Sequence, residues 1–349
     1  MKGILFRVNG GFGKNLMATA VCRAIKKAHP DIPLHVQASY PDAFVGLDEV
    51  ERVYPQVPSP DFYDLHRDFE ILDAEPYAAH DYRRGGEHLV NVWCRRLGIK
   101  PPASPAGTIR LARHEKRAAE QILGAIRQQA AGRKVVAVQW IGGTSTYAPG
   151  EAQNPNRVSQ VRELPQEVAR ALIDALAADG HFPLVIGLPT EPRLQNCLTL
   201  LDGQGQAFPL RVVLAVLALV DGLVSVDSFA PHAWAALGRS HAVVLWGATR
   251  PDNLGYESNT NIKPPANCCP TPGCNRPETH LGDWIGNGTV WTCPHDAACM
   301  AYNAKEIAKR VSKALGQSEA QPCASPACAK PALVKDEPPA EEPAQEESK

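Results

Sequence analysis

The chain has 349 residues, a formal net charge of −1 and 44% hydrophobic residues. That length suits two domains with sizeable cores, and a near-neutral charge without a basic stripe excludes a nucleic-acid footprint. No apolar run approaches the roughly 18 residues of a membrane span; the longest, 212–220, is bounded by Arg211 and Asp221. The opening MKGILFRVNGG has neither the apolar length nor the cleavage site of a signal peptide. A cytoplasmic protein is expected, with a peripheral membrane contact left open.

Residues 3–8 (GILFRV) read as a buried strand, 9–15 (NGGFGKN) as a glycine-rich turn and 16–29 as a helix. In that helix Leu16, Ala20, Val21, Ala24 and Ile25 share one face. A strand at 33–38 completes a β–turn–α–β unit, half of a doubly wound sheet. The turn fails two familiar phosphate motifs. A P-loop needs Gly at position 8 and Ser or Thr at 15, where Val8 and Asn15 stand. The dinucleotide fingerprint needs Gly at 16, where Leu16 stands. What remains is a tight turn that brings backbone close to a ligand, or lets helix and strand pack closely.

Residues 48–60 predict a short strand and loop. Residues 61–84 are rich in aromatics, histidines and acids, and predict a loop-rich segment. Such a segment suits a carbohydrate or other polar acceptor, or is an irregular solvated surface. A helix at 87–97, a proline-rich connector at 101–107 and a charged helix at 113–129 follow, with a hinge between 112 and 134. The second half repeats the theme. A strand at 135–140 leads into a long polar loop, 141–162, then a helix at 164–178, a strand at 183–186 and a helix at 208–219.

Residues 222–251 are the most informative stretch. A strand at 223–226 ends in Asp227 and Ser228, an Ala-rich helix follows, and a second strand occupies 242–246. Ligands of open parallel sheets bind at the carboxyl ends of strands. Pro231 suits a first helical turn, and a helix N-terminus offers free N–H groups and partial positive charge to a phosphate. His232 falls in the same turn. A plainer reading makes Asp227 and Ser228 helix caps and His232 a core residue. A last helix is expected at 303–315. Residues 317–349 are rich in Pro, Ala and Glu, almost without large apolar side chains, and predict a disordered tail.

The expected fold is therefore α/β, with two doubly wound Rossmann-like domains facing a cleft. The N-terminal domain is placed at 1–120 and the C-terminal domain at 134–316. The second includes a Cys-rich loop at 264–300. Ten cysteines occur in all; Cys22, Cys94 and Cys197 are scattered, and seven lie between Cys268 and Cys328. Cys268, Cys269, Cys274, Cys293 and Cys299 share their loop with His280 and His295. Their spacings are wider than those of most zinc loops. Structural zinc at Cys269, Cys274, Cys293 and Cys299, a disulfide, and free thiols are the three readings.

Four elements in order resemble the heptosyltransferase-like glycosyltransferases of family 9, over roughly residues 3–312. The family signature Asp-Thr-Gly, two residues, His is similar to Asp227-Ser228-Phe229-Ala230-Pro231-His232. Lys-x-Trp-Pro is similar to Arg162-Glu163-Leu164-Pro165. A Gly with a Glu shortly after a strand is similar to Gly187 and Glu191. The N-terminal turn and Ala-rich helix stand as GGFGKNLMATAVCRAI. The Gly-Lys-Asn form of this turn is similar to that of phage-encoded members.

The resemblance implies a glycosyltransferase-B fold and a metal-independent, inverting transfer with no cofactor. The donor would be a nucleotide-diphosphate sugar such as ADP-heptose. The acceptor would be a glycan, as in lipopolysaccharide biosynthesis, or a lipid-linked or other hydroxyl. It implies donor contacts from Gly13, Thr144, Ser145, Arg162, Glu191, Asp227, Ser228 and His232. One position departs from the pattern. Many members carry a carboxylate base directly after the glycine of the N-terminal turn, where this chain has Lys14. Lys14 is then expected to contact an anion, either the donor diphosphate or an acidic acceptor, with Asp42, His80 or Asp81 as candidate base. The alternatives are a sugar-nucleotide-binding protein without turnover, or a nucleotide-sugar epimerase on the same fold.

Overall fold

The structure, a computed structural model, describes residues 2–142, 161–274 and 293–320. It contains two parallel sheets. The first is built from β1 (Gly3–Val8), β2 (Leu34–Ala38), β3 (Arg52–Pro55) and β4 (Phe69–Leu72), in the order β3-β2-β1-β4. The second comprises β5 (Lys134–Gln139), β6 (His181–Val185), β7 (Leu198–Thr199), β8 (Gly222–Val226), β9 (Val243–Leu245) and β10 (Thr260–Ile262). Its order is β10-β9-β8-β5-β6-β7. Each sheet grows outward in both directions from its first strand, as doubly wound sheets do.

The central strands are apolar because helices cover both faces of such a sheet. All five residues of β2 and of β8 are buried, and Arg7 is the one exposed residue of β1. The helices are α1 (Phe12–Ala28), α2 (Asp61–Leu65), α3 (His80–Arg84), α4 (Leu89–Arg96), α5 (Arg113–Ala130), α6 (Gln166–Ala178), α7 (Leu210–Leu219), α8 (Phe229–Ala236), α9 (Pro251–Leu254) and α10 (Ala304–Ala320).

The halves are tied together. Buried apolar residues of both sheets form one continuous cluster, from Ile4 and Phe6 through Leu16 to Ala233 and Val244. Arg211 of α7 is buried and pairs with Glu115 of α5. It also donates from Nη1 to the Asp42 carbonyl (2.6 Å) and from Nη2 to the Arg110 carbonyl. Glu115 in turn accepts the Ala112 N–H at 2.7 Å, closing the start of α5.

Three expectations need correction. The glycine turn is shorter than 9–15, because α1 begins at Phe12 and takes Gly13, Lys14 and Asn15 into its first turn. The segment 61–84 holds α2, β4 and α3 rather than loop alone. The last helix continues through Ala320, so the first residues assigned to the tail are helical; residues 321–349 lie outside the described residues. Among the described residues no helix is long and apolar enough to cross a membrane.

Candidate functional site

The candidate site lies beyond the carboxyl ends of β1 and β8, in two different sheets. The helices that follow these strands, α1 and α8, pack together at their first turns. Phe12 and Phe229 rings stand 5.6 Å apart. Gly13 lies against His232, and a Cβ there would come 2.7 Å from His232 Cδ2. Gly13 is glycine because that ring needs the space. Asn15 is fully buried and locks the turn. Its amide donates to the Gly11 carbonyl (2.9 Å), and its Oδ1 accepts the Tyr40 N–H (3.3 Å).

Both sheets have a switch point, where successive connections leave in opposite directions and ligands find a crevice. In the second sheet this lies between β5 and β8, which pair directly. Asp227 stands there, buried to 1% exposure. Its Oδ2 lies 3.1 Å from Arg162 Nε and accepts the Thr249 hydroxyl at 2.7 Å. Arg162 also donates from Nε and Nη2 to the Asp227 carbonyl, at 3.2 and 3.1 Å. Gly142, just after β5, lets these chains meet: a Cβ there would lie 2.5 Å from the Asp227 carbonyl oxygen. Asp227 Oδ1 is buried without a hydrogen-bond partner among the described residues. Asp227 is therefore not a helix cap but the buried half of an ion pair whose other half, Arg162, is partly exposed.

Ser228 fits the plainer reading. Its hydroxyl caps α8 by accepting the Ala230 N–H at 3.4 Å and donates to Gln139 Oε1. His232 is buried, with Nδ1 2.9 Å from the Tyr256 hydroxyl. Burial pushes its pKa down to about 4, against the opposing pull of Asp227. The imidazole is neutral near pH 7 and acts as a hydrogen-bonding group rather than a cation. Nothing in the sequence pointed to Tyr256. Its ring also stacks near His88 (5.5 Å), whose pKa burial lowers to about 3.

In the first sheet the switch point lies between β1 and β4. Lys14 follows β1, and Glu75 follows β4 by three residues. Lys14 is buried, with its Nζ 2.6 Å from both Glu75 Oε2 and Asn9 Oδ1. The Tyr77 and Trp93 rings lie 5.3 Å from the same nitrogen. Burial lowers the Lys14 pKa, while Glu75 and Asp73 oppose that shift. The partner of Lys14 in the structure is the chain's own Glu75, where the sequence predicts a donor diphosphate or an acidic acceptor. Glu75 was not among the candidates, because β4 was not recognised and its end could not be placed.

The other candidates are dispersed. Asp42 is partly exposed on the turn after β2, its carbonyl held by Arg211. His80 and Asp81 are exposed on α3, at 70% and 62% of their side chains, and Asp81 Oδ2 lies 3.1 Å from Arg95. The Glu191 carboxylate lies against Gly187, after β6. Thr144 and Ser145 lie outside the described residues.

The Cys-rich segment adjoins the site. Cys269, Cys274, Cys293, Cys299 and His295 line a cavity of about 20 Å³ beside Val161 and Ala248. Burial raises the Cys299 pKa to about 12, and the four neighbouring thiols push the same way. The described cysteines are free thiols. Among the described residues no group of three or more Cys, His, Asp or Glu is arranged to hold a metal ion. His280 lies outside the described residues.

No protein-family model and no curated protein matches the chain. Solved structures do. A family 9 glycosyl transferase from Veillonella parvula aligns over 91% of this chain and 98% of its own, at 11% identity and a TM-score of 0.57. E. coli ADP-heptose lipopolysaccharide heptosyltransferase II aligns over 90% and 99%, at 13% identity and 0.57. The iron-containing dodecameric glycosyltransferase TibC of enterotoxigenic E. coli aligns over 91% and 77%, at 13% identity and 0.59. The chain has the fold of these glycosyltransferases. The glycosyltransferase-B arrangement expected from the sequence is the one observed.

Proposed function

We propose that this protein is a glycosyltransferase that moves a sugar from a nucleotide-diphosphate donor to a hydroxyl acceptor, with inversion. The observation that carries the reading is the Arg162–Asp227 pair at the β5/β8 switch point, beside the N-terminus of α8. The diphosphate would sit on the first turn of α8. There the helix dipole and the Arg162 guanidinium offset the charge that grows as the nucleotide leaves. Neutral His232 would orient the donor by hydrogen bonding. Glu191 would accept from ribose hydroxyls, and Thr144 and Ser145 would add hydroxyls to the phosphates.

ADP-heptose is the donor we put first, since the similar E. coli enzyme is named for it. A glycan or lipid-linked hydroxyl is the acceptor class, held by the first-sheet half. A cytoplasmic site of action follows from a nucleotide-activated donor. We place the domains at 1–120 and 134–316. We keep one structural metal reading open for test: Cys269, Cys274, Cys293 and Cys299 share one small cavity. Elemental analysis finding no stoichiometric zinc would dismiss it.

Lys14 motivates a second reading, a nucleotide-sugar-binding protein without turnover. A thermal-shift panel of ADP-heptose, UDP-glucose, GDP-mannose and CMP-sialic acid tests the donor site shared by both. Stabilisation by one of them is expected, and none would contradict both. Nucleotide release from the stabilising donor separates transfer from mere binding.

A further inference from the structure

Two ion pairs, each with one buried and one partly exposed partner, mark the two switch points. Arg162–Asp227 joins the ends of β5 and β8, and Lys14–Glu75 joins the ends of β1 and β4. In the first the carboxylate is the enclosed partner, at 2% exposure against 26% for Arg162; in the second it is the cation. The Lys14 side chain is 5% exposed and that of Glu75 39%. The cation is enclosed, and the carboxylate reaches the surface just beyond the carboxyl end of β4. Lys14 is the residue next to Gly13, which touches His232.

From this placement we infer that Glu75 is the general base that accepts the proton of the acceptor hydroxyl, and that Lys14 is the residue that positions it. The inference rests on the glycosyltransferase reading above. In the step, the acceptor oxygen bonds to the anomeric carbon and its proton passes to Glu75. The bond from that carbon to the donor phosphate oxygen breaks, and the nucleoside diphosphate leaves with the electron pair.

The surroundings of Glu75 suit this cycle. Its Oε1 accepts the Tyr77 N–H at 3.2 Å, and its Oε2 accepts from Lys14. These two bonds fix the carboxylate plane. When Glu75 takes a proton, the Lys14 ammonium is not stranded. It keeps Asn9 Oδ1 at 2.6 Å and the faces of Tyr77 and Trp93, which retain part of the stabilisation a buried cation needs. Among the described residues, Asp73 also acts on Lys14 electrostatically, and it is paired with Arg7 at 3.0 Å.

The test follows nucleotide release from whichever of the four panel donors stabilises the protein, with water as acceptor. It compares wild type, Glu75→Gln, Glu75→Asp, Lys14→Met and Asp73→Asn, each checked for a native melting transition. Glu75→Gln is expected to lose about 100-fold or more in kcat, the range of a general base, with donor KM unchanged. Glu75→Asp recovers part of that loss. Lys14→Met lowers kcat without raising donor KM, and Asp73→Asn stays close to wild type. A native Glu75→Gln protein with the wild-type rate overturns the inference. So does a wild-type protein that binds donor and releases no nucleotide. Failure of every donor to bind wild type is a different result, and removes the glycosyltransferase reading itself.

Discussion

The imidazole of His232 rests on Gly13, so the first turn of α1 and the first turn of α8 touch at a point where only a hydrogen fits. This contact joins the Gly-rich turn of one sheet to the Asp227–His232 turn of the other. It explains a glycine inside a helix, where glycine ordinarily costs about 1 kcal/mol relative to alanine.

Gly13→Ala should therefore destabilise the protein, although alanine is the better helix former. Overpacking of this kind costs about 1–3 kcal/mol. Denaturant unfolding would read the loss, and donor affinity should fall with it as α8 is displaced. A Gly13→Ala protein as stable as wild type would mean that the two turns do not meet this closely.

Two of the buried histidines, His88 and His232, set an acid limit on stability. Burial lowers His88 to about 3 and His232 to about 4, against about 6.5 in the unfolded chain. Between those values the unfolded state binds more protons, so stability rises with pH there and falls as pH drops from 6.5. The loss from His232 is complete near pH 4 and that from His88 near pH 3. Each group accounts for roughly 3–5 kcal/mol over its window. His88→Asn keeps a capping side chain at the start of α4 but does not titrate. Its urea midpoint should fall less steeply between pH 6.5 and 3 than that of wild type.

Glu115 works over a lower range. Burial alone would raise its pKa, but bonds from Arg211 and the Ala112 N–H, with the Arg211 charge, hold it below the usual carboxylate range. A depressed carboxylate stabilises the fold above its unfolded pKa of about 4.3 and loses that contribution as pH falls through the folded value. Glu115→Gln should lower Tm at pH 7, with the gap to wild type narrowing below about pH 4. Arg211→Met should be worse than Glu115→Gln. It leaves a buried carboxylate unpaired and frees the Asp42 and Arg110 carbonyls, a change of about 3–5 kcal/mol.

Much of the fold was legible because its central strands are short apolar runs followed by helices with one apolar face. GILFRV and its helix, and the run ending at Asp227, needed no tertiary knowledge. The edge strands were not legible. β4 exposes Glu70 and Ile71 and buries little, while β7 and β10 have two and three residues. Missing β4 also hid Glu75, since a residue gains meaning from standing at a strand end. Long-range partners were out of reach for a related reason. Lys14 and Glu75 are 61 residues apart, and Arg162 and Asp227 65. Charge at one position carries no sign of which distant charge answers it. Asp227 and His232 could be singled out locally; Thr249 and Tyr256, which hold them, could not.

The central claim is that a nucleotide-diphosphate sugar is held at the first turn of α8 beside Arg162. Calorimetric titration of ADP-heptose into wild type, Arg162→Lys and Arg162→Gln measures this most directly. A charged hydrogen bond is worth about 1.5–3 kcal/mol, so Arg162→Gln should weaken binding roughly 10- to 150-fold, with Arg162→Lys between the two. Binding to folded Arg162→Gln as tight as to wild type would contradict the account.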